Sequence, residues 1–270
     1  MPVAVEKLRA NFEALALPVA ADVAVTVTSI GGVTAEQLMA PGADPGRVVL
    51  YLHGGGYVMG SPHSHRKLAG DVSRSAGARV LVPDYPLAPE RRFPAAIESV
   101  RALYVTLLAT VSPNRLAIAG DSAGGGLTAA ALISLRDGGA RLPAAAVLIS
   151  PWLDLVREGG VDAALAARDP IVAAEDLDTF RHWYLGDADP RQPLASPMLG
   201  DLRGLPPILV QVGSDEIVAD DSRRFSERCP SAELEVWDEM VHVWQVFAGR
   251  VPEATAAVER IGAFLRAHLA

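Results

Sequence analysis

The sequence predicts an α/β fold: a mostly parallel central sheet flanked by helices, with a small helical cap. Three observations predict it. Short continuous apolar runs recur along the chain, as strands buried on both faces require. Amphipathic helical patterns fall between those runs. One stretch, residues 152–205, breaks the alternation with few strand signals and so reads as an insertion between two core strands.

The elements follow in order. VAVTVTS (23–29) alternates apolar and polar residues; with GGV and AEQLMA behind it, it reads as an antiparallel hairpin at one sheet edge. RVVLYLH (47–53) and RVLVPDY (79–85) are buried strands, separated by HRKLAGDVSRSAG (65–77), whose Leu68 and Val72 have helical spacing. PAAIESVRALYVTLLAT (94–110) is an amphipathic helix with proline at its start, where a missing N–H does no harm. RLAIAG (115–120) is a strand, and AGGGLTAAALISLRD (123–137) is a helix rich in small residues. AAAVLIS (144–150), PPILVQVG (206–213) and AELEVW (232–237) are strands, the last two flanking a helix around 219–229. AAEDLDTFRHWYL (173–185) is a helical patch inside the insertion, and PEATAAVERIGAFLRAHLA (252–270) closes the chain as a helix. The expectation is one domain over 1–270, with cap elements from about 1–20 and 155–200.

Composition narrows the function. Half of the 270 residues are apolar, enough for a sizeable core. A net charge of −8 with no basic run argues against nucleic acid as a partner, because such binding rests on phosphate neutralisation. Cys229 is the single cysteine, so neither an internal disulfide nor a cysteine metal cluster can form. Glu6, Lys7 and Arg9 interrupt the apolar N-terminus, unlike a signal peptide, and no run of 18 apolar residues exists. The expected location is cytoplasmic, without membrane insertion; a homodimer is compatible with the sequence.

Three motifs carry chemistry. HGGG (53–56) ends an apolar strand with three glycines, a loop whose amides can face a ligand with no side chain in the way. GDSAGGG (120–126) contains Gly-x-Ser-x-Gly, a weak pattern by itself. Its setting is specific: it follows a strand directly and opens a helix, which puts Ser122 on a tight turn at a helix N-terminus. A serine hydroxyl needs a base and an acid to orient that base. His242, in EMVHVWQ past the last strand, is the best base; His182 sits in the insertion and His268 on the last helical turn. The acid follows the strand 206–213, where Asp215 and Glu216 are adjacent; Asp220 and Asp221 read as first-turn helix residues.

Together these pieces resemble the hormone-sensitive-lipase-like branch of the α/β-hydrolase esterases, the carboxylesterase family with a GDSAG motif. The matching stretches are HGGG (53–56), PDYPLAPE (83–90), FPAAIES (93–99), GDSAGG (120–125), SPWLDL (150–155), GSDEIVADD (213–221) and MVHVW (240–244), in family order from about residue 25 onward. The resemblance implies an α/β-hydrolase fold and oxyanion-hole amides from Gly55, Gly56 and Ala123. His53 is then a loop-fixing residue. The family's acid has an apolar residue at +2 and Asp at +4; Val218 and Asp220 fit that spacing from Glu216, with Asp215 the alternative acid. Gly126 stands where relatives often have Asn, Pro86 where they often have Arg, and Val243-Trp244 where many have Gly-Phe. The N-terminal arm is shorter than the family's two-helix cap, which implies a more open site.

The implied activity is hydrolysis of short-chain acyl esters, or lactones, through an acyl-enzyme, with no cofactor and no metal. Tyr57, Trp152, Tyr184 and Trp244, together with Trp183, are the candidate pocket residues for a small-molecule ester. The alternatives are an amidase or peptidase, which nothing in the sequence separates from an esterase, and a non-catalytic small-molecule receptor on the same fold.

Overall fold

The computed structural model describes residues 2–156, 160 and 163–270, with residues 2 and 3 described by their backbone alone. The parts of the expected cap at 157–159 and 161–162 lie outside the described residues.

The chain opens with α1 (Pro2–Ala14) and an antiparallel hairpin, β1 (Ala24–Ile30) and β2 (Val33–Met39). Then come β3 (Asp44–Leu52), α2 (Arg66–Ala76), β4 (Ala78–Pro83), α3 (Ala95–Leu107), β5 (Leu116–Asp121), α4 (Ala123–Asp137) and β6 (Ala145–Ile149). The insertion carries α5 (Ala163–Arg168) and α6 (Ala174–Leu185). β7 (Ile208–Gly213), α7 (Ala219–Arg228), β8 (Ala232–Trp237) and α8 (Pro252–His268) complete the fold.

The eight strands form one sheet in the order β1-β2-β4-β3-β5-β6-β7-β8. β1, β2 and β4 pair antiparallel; every pair from β4 to β8 is parallel. All residues of β5, β6 and β7 are buried, which is why these strands read as unbroken apolar runs. One face packs α3, α4 and α7 through Ile97, Val100, Leu127 and Phe225. The other packs α2 and α8 through Leu68, Val72, Ile261 and Leu265. Each such side chain, fully buried, contributes about 1.5–3 kcal/mol of hydrophobic stabilisation. The parallel topology brings the carboxyl ends of β3, β5, β6 and β7 to one edge, where the loops that follow them meet.

Candidate active site

Ser122 lies between the end of β5 and the first residue of α4, with φ 53° and ψ −122°. A non-glycine residue in that region is strained by roughly 1–3 kcal/mol and persists only where its surroundings hold it. The surroundings are specific. The Ser122 amide donates to the Ile149 carbonyl at 2.8 Å, and its own carbonyl accepts from Gly126 at 3.1 Å and Trp152 at 3.0 Å. Tight approach of α4 makes the turn fit: a Cβ on Gly124 would run into the carbonyls of Leu52 and His53. Glycine there forgoes about 1 kcal/mol of helix propensity relative to alanine, and the close packing explains why.

The Ser122 Oγ lies 2.9 Å from His242 Nε2, and His242 Nδ1 lies 2.9 Å from Glu216 Oε2. A carboxylate only accepts, so Nδ1 carries the proton and Nε2 presents its lone pair to the serine hydroxyl. His242 follows β8 on the loop before α8; Glu216 follows β7. Burial alone would lower the His242 pKa, but the hydrogen bond and charge of Glu216 outweigh it and hold the imidazole above its ordinary value. Burial pushes the fully enclosed Glu216 carboxyl upward; its bonds to His242, Gly213 and Ser150 pull the other way. Asp215 points elsewhere, with Oδ1 3.6 Å from Arg168 and a quarter of its side chain exposed.

The glycine loop follows β3. Gly55 has φ 113° and Gly56 φ 62°, backbone that a side chain rarely adopts. The Gly54 amide is engaged, donating to Asp121 Oδ1 at 3.2 Å with His65 Nε2 at 3.1 Å. No acceptor among the described residues takes the amides of Gly55, Gly56 or Ala123. Ala123 is the first residue of α4, where a helix leaves its N–H groups unpaired.

A buried polar cluster underlies this loop. Asp121 accepts from Tyr51 Oη at 2.8 Å and faces His65 Nε2 at 3.3 Å. Burial alone would raise the Asp121 pKa and lower that of His65; their mutual attraction and hydrogen bond reverse both, so the Asp121 pKa lies below and the His65 pKa above its ordinary value. His53 donates from Nδ1 to the Gly54 carbonyl at 2.8 Å and stacks on Tyr85, whose hydroxyl bonds the His53 carbonyl. Burial lowers the His53 pKa to about 3, so this imidazole is neutral.

Aromatic side chains join the loop to α6. The Tyr57 ring lies 3.9 Å from that of Tyr184, nearly parallel, and 6.0 Å from that of Trp152. Phe180 covers Gly56 so closely that a Cβ on that glycine would enter its ring. Trp183 sits beside Phe180. Trp244 departs from the expectation of a pocket residue. Its ring is buried against Trp237 in the core of the opposite sheet face, because the short helical turn after His242 rotates it away.

Four further residues at this edge escaped the sequence reading. The Ser150 hydroxyl bonds Glu216 Oε1 at 2.7 Å. Asp169 Oδ2 accepts from the Ile217 amide at 2.9 Å, holding the loop of Glu216. Phe180 was lost among the apolar residues of its helix. Arg9 of α1 donates to the carbonyls of Val58 and Ala88 and pairs with Glu90. Asp169 had a local signal, the turn-forming Asp-Pro at 169–170; Ser150 had one in its position as a polar residue ending an apolar strand.

Comparison with known proteins bears on the whole arrangement. The family model described as an alpha/beta hydrolase fold matches residues 49–246. The chain belongs to the α/β-hydrolase fold family. Among similar proteins of this family, an acetyl-hydrolase of Streptomyces hygroscopicus is 48% identical over 245 residues, covering 89% of this chain and 82% of that protein. An esterase of Acinetobacter venetianus is 35% identical over 241 residues, covering 87% and 79%. The crystal structure of an esterase from the bacterial hormone-sensitive lipase family superposes with a TM-score of 0.95 at 46% identity, covering 98% of this chain and 92% of that one. Within the α/β-hydrolases the chain is thus hormone-sensitive-lipase-like.

Proposed function

We propose that the protein is a serine carboxylesterase that hydrolyses short-chain acyl esters, lactones of similar size included, with Ser122 as nucleophile, His242 as base and Glu216 as the acid. One observation carries the reading: the unbroken hydrogen-bonded line from the Ser122 hydroxyl through the His242 imidazole to the buried Glu216 carboxylate. Esterase and acetyl-hydrolase relatives support the same class of substrate.

The mechanism follows from the geometry. Ser122 Oγ attacks the acyl carbon as its proton passes to His242 Nε2. Glu216 holds the imidazole in the right tautomer and stabilises the imidazolium. The amides of Gly55, Gly56 and Ala123 receive the oxyanion, each worth on the order of 3 kcal/mol of barrier lowering. The imidazolium protonates the departing alcohol; water, activated by the same base, then releases the acid. Tyr57, Trp152 and Tyr184 form an apolar wall, with residues 1–20 and the insertion acting as a cap on a single catalytic domain. The lone cysteine favours a cytoplasmic setting.

The test is Ser122→Ala assayed on a short-acyl nitrophenyl ester. The variant is expected to keep its melting temperature and lose nitrophenol release. Full activity in it rejects the reading. Wild-type protein that binds such an ester without turnover favours a receptor instead.

A further inference from the structure

Ser150 immediately follows β6, is fully buried and has φ 47°. Its amide donates to the Gln211 carbonyl at 2.7 Å, which ties it to β7. Its hydroxyl touches two loops at once: Glu216 Oε1 at 2.7 Å and the backbone N–H of Val243 at 3.1 Å. An amide N–H can only donate, so Ser150 Oγ accepts from Val243 and sends its single proton to Glu216. The Gly213 amide is a second donor to the same carboxylate oxygen, at 2.6 Å. Oε1 is therefore held twice, and Oε2 is left to His242 Nδ1 at 2.9 Å.

We propose that Ser150 is a positioning residue for the reaction: one hydroxyl fixes the orientation of the Glu216 carboxylate and anchors the turn that carries His242. The inference rests on the serine-esterase reading of Ser122, His242 and Glu216. It accounts for two features of this site. A glutamate has one more rotatable bond than an aspartate, so its carboxylate needs more than one anchor to stay aimed at an imidazole. Val243, next to the base, has φ 54°, and its anchored amide keeps that left-handed turn in place. Deleting the hydroxyl leaves the Val243 N–H without its acceptor and the carboxylate with one donor fewer. The other groups acting on the imidazole are Asp169 and Asp121, both favouring its charged form.

The experiment compares Ser150→Gly with Ser150→Ala. Both delete the hydroxyl; glycine relaxes the left-handed backbone and alanine keeps it strained, so their stabilities differ while the catalytic defect is shared. With a short-acyl nitrophenyl ester, kcat is expected to fall about 10- to 100-fold in both variants, with KM within about threefold of wild type. The acid limb of the kcat/KM profile, which follows the His242 imidazole, moves down by roughly half a pH unit or more, because a carboxylate no longer held in aim supports the imidazolium less. A kcat within twofold of wild type with an unmoved acid limb in Ser150→Gly overturns the proposal. So does a kcat loss that follows the melting temperature from one variant to the other. Ser122→Ala, run alongside, separates the failures. If it stays active, the esterase reading falls; if it is dead while Ser150→Gly is fully active, the esterase reading stands and only the role of Ser150 falls.

Discussion

Replacing Glu216 by glutamine keeps the shape of the side chain but removes its negative charge and its ability to accept at both oxygens. The structure dictates which way the amide must face. Gly213 N–H and the Ser150 hydroxyl both donate to Oε1, at 2.6 and 2.7 Å, so the glutamine oxygen has to remain there. Its NH₂ group then meets His242 Nδ1, where the carboxylate sits at 2.9 Å in the parent. To accept that donor, Nδ1 gives up its proton and Nε2 takes one. The imidazole then presents an N–H to Ser122 Oγ instead of a lone pair and cannot act as base. A forced wrong tautomer of this kind costs about 10⁴-fold in kcat. That corresponds to about 5.4 kcal/mol of barrier at 1.36 kcal/mol per decade. The assay is initial-rate hydrolysis of a short-acyl nitrophenyl ester, with a thermal melt of the same preparation. Asp215→Asn is the control: facing Arg168 and solvent, it should keep more than half of the wild-type rate. Glu216→Gln retaining a tenth or more of the parent kcat refutes the reasoning, as does Asp215→Asn proving the more damaging change.

Three other outcomes follow from the same contacts. Gly124→Ala should lower stability by about 2–3 kcal/mol, since its Cβ meets the backbone carbonyls of Leu52 and His53; the roughly 1 kcal/mol gain in helix propensity is too small to compensate, and a higher melting temperature would contradict the packing. The acid limb of kcat/KM should have its midpoint above the ordinary histidine value of 6.5: Glu216 raises the His242 pKa, the base works only when neutral, and activity is lost as pH falls through that raised value, so a pH–rate profile with a midpoint below 6.5 counts against the pairing. Arg9→Ala removes donors to the Val58 and Ala88 carbonyls, at 2.8 and 2.9 Å, and should speed limited proteolysis near residues 14–20; the exposed Glu90 pairing contributes little, so adding salt to the parent should not reproduce the effect.

The sheet was legible because parallel strands buried on both faces have to be continuously apolar. Boundaries were less so. β3 begins at Asp44, three residues before the apolar run, because the Asp44 amide pairs with the Gly77 carbonyl across a register shift. That polar start has no signature in an apolar-run reading. The strand expected to reach residue 85 ends at Pro83, which cannot extend the ladder as a donor. Ser122 and His242, whose side chains meet at 2.9 Å, could be picked out as candidates because each follows a strand, where the topology leaves few choices. Glu216 and Asp215 were harder to separate, since neighbouring residues on a turn point in different directions and only spacing against the family's pattern distinguished them. Ser150 and Arg9 act through contacts over long chain separations, 66 residues in the one case and 49 in the other, and nothing local announces them. Trp244 illustrates the converse: two residues from His242 in the chain, it lies on the other side of the sheet.

The hydroxyl of Ser122 and the imidazole that contacts it are 120 residues apart, and the imidazole enters from beyond β8, a half-exposed strand that, among the described residues, pairs only with β7. With the proposed triad, a nascent polypeptide that has already emerged through α4 therefore holds serine and glycine loop yet lacks the proposed base and acid until its last quarter is synthesised and docked. The same geography governs heating. Fraying of that outermost ribbon withdraws the proposed base while the central strands stay zipped, so thermal inactivation should precede loss of far-ultraviolet dichroism.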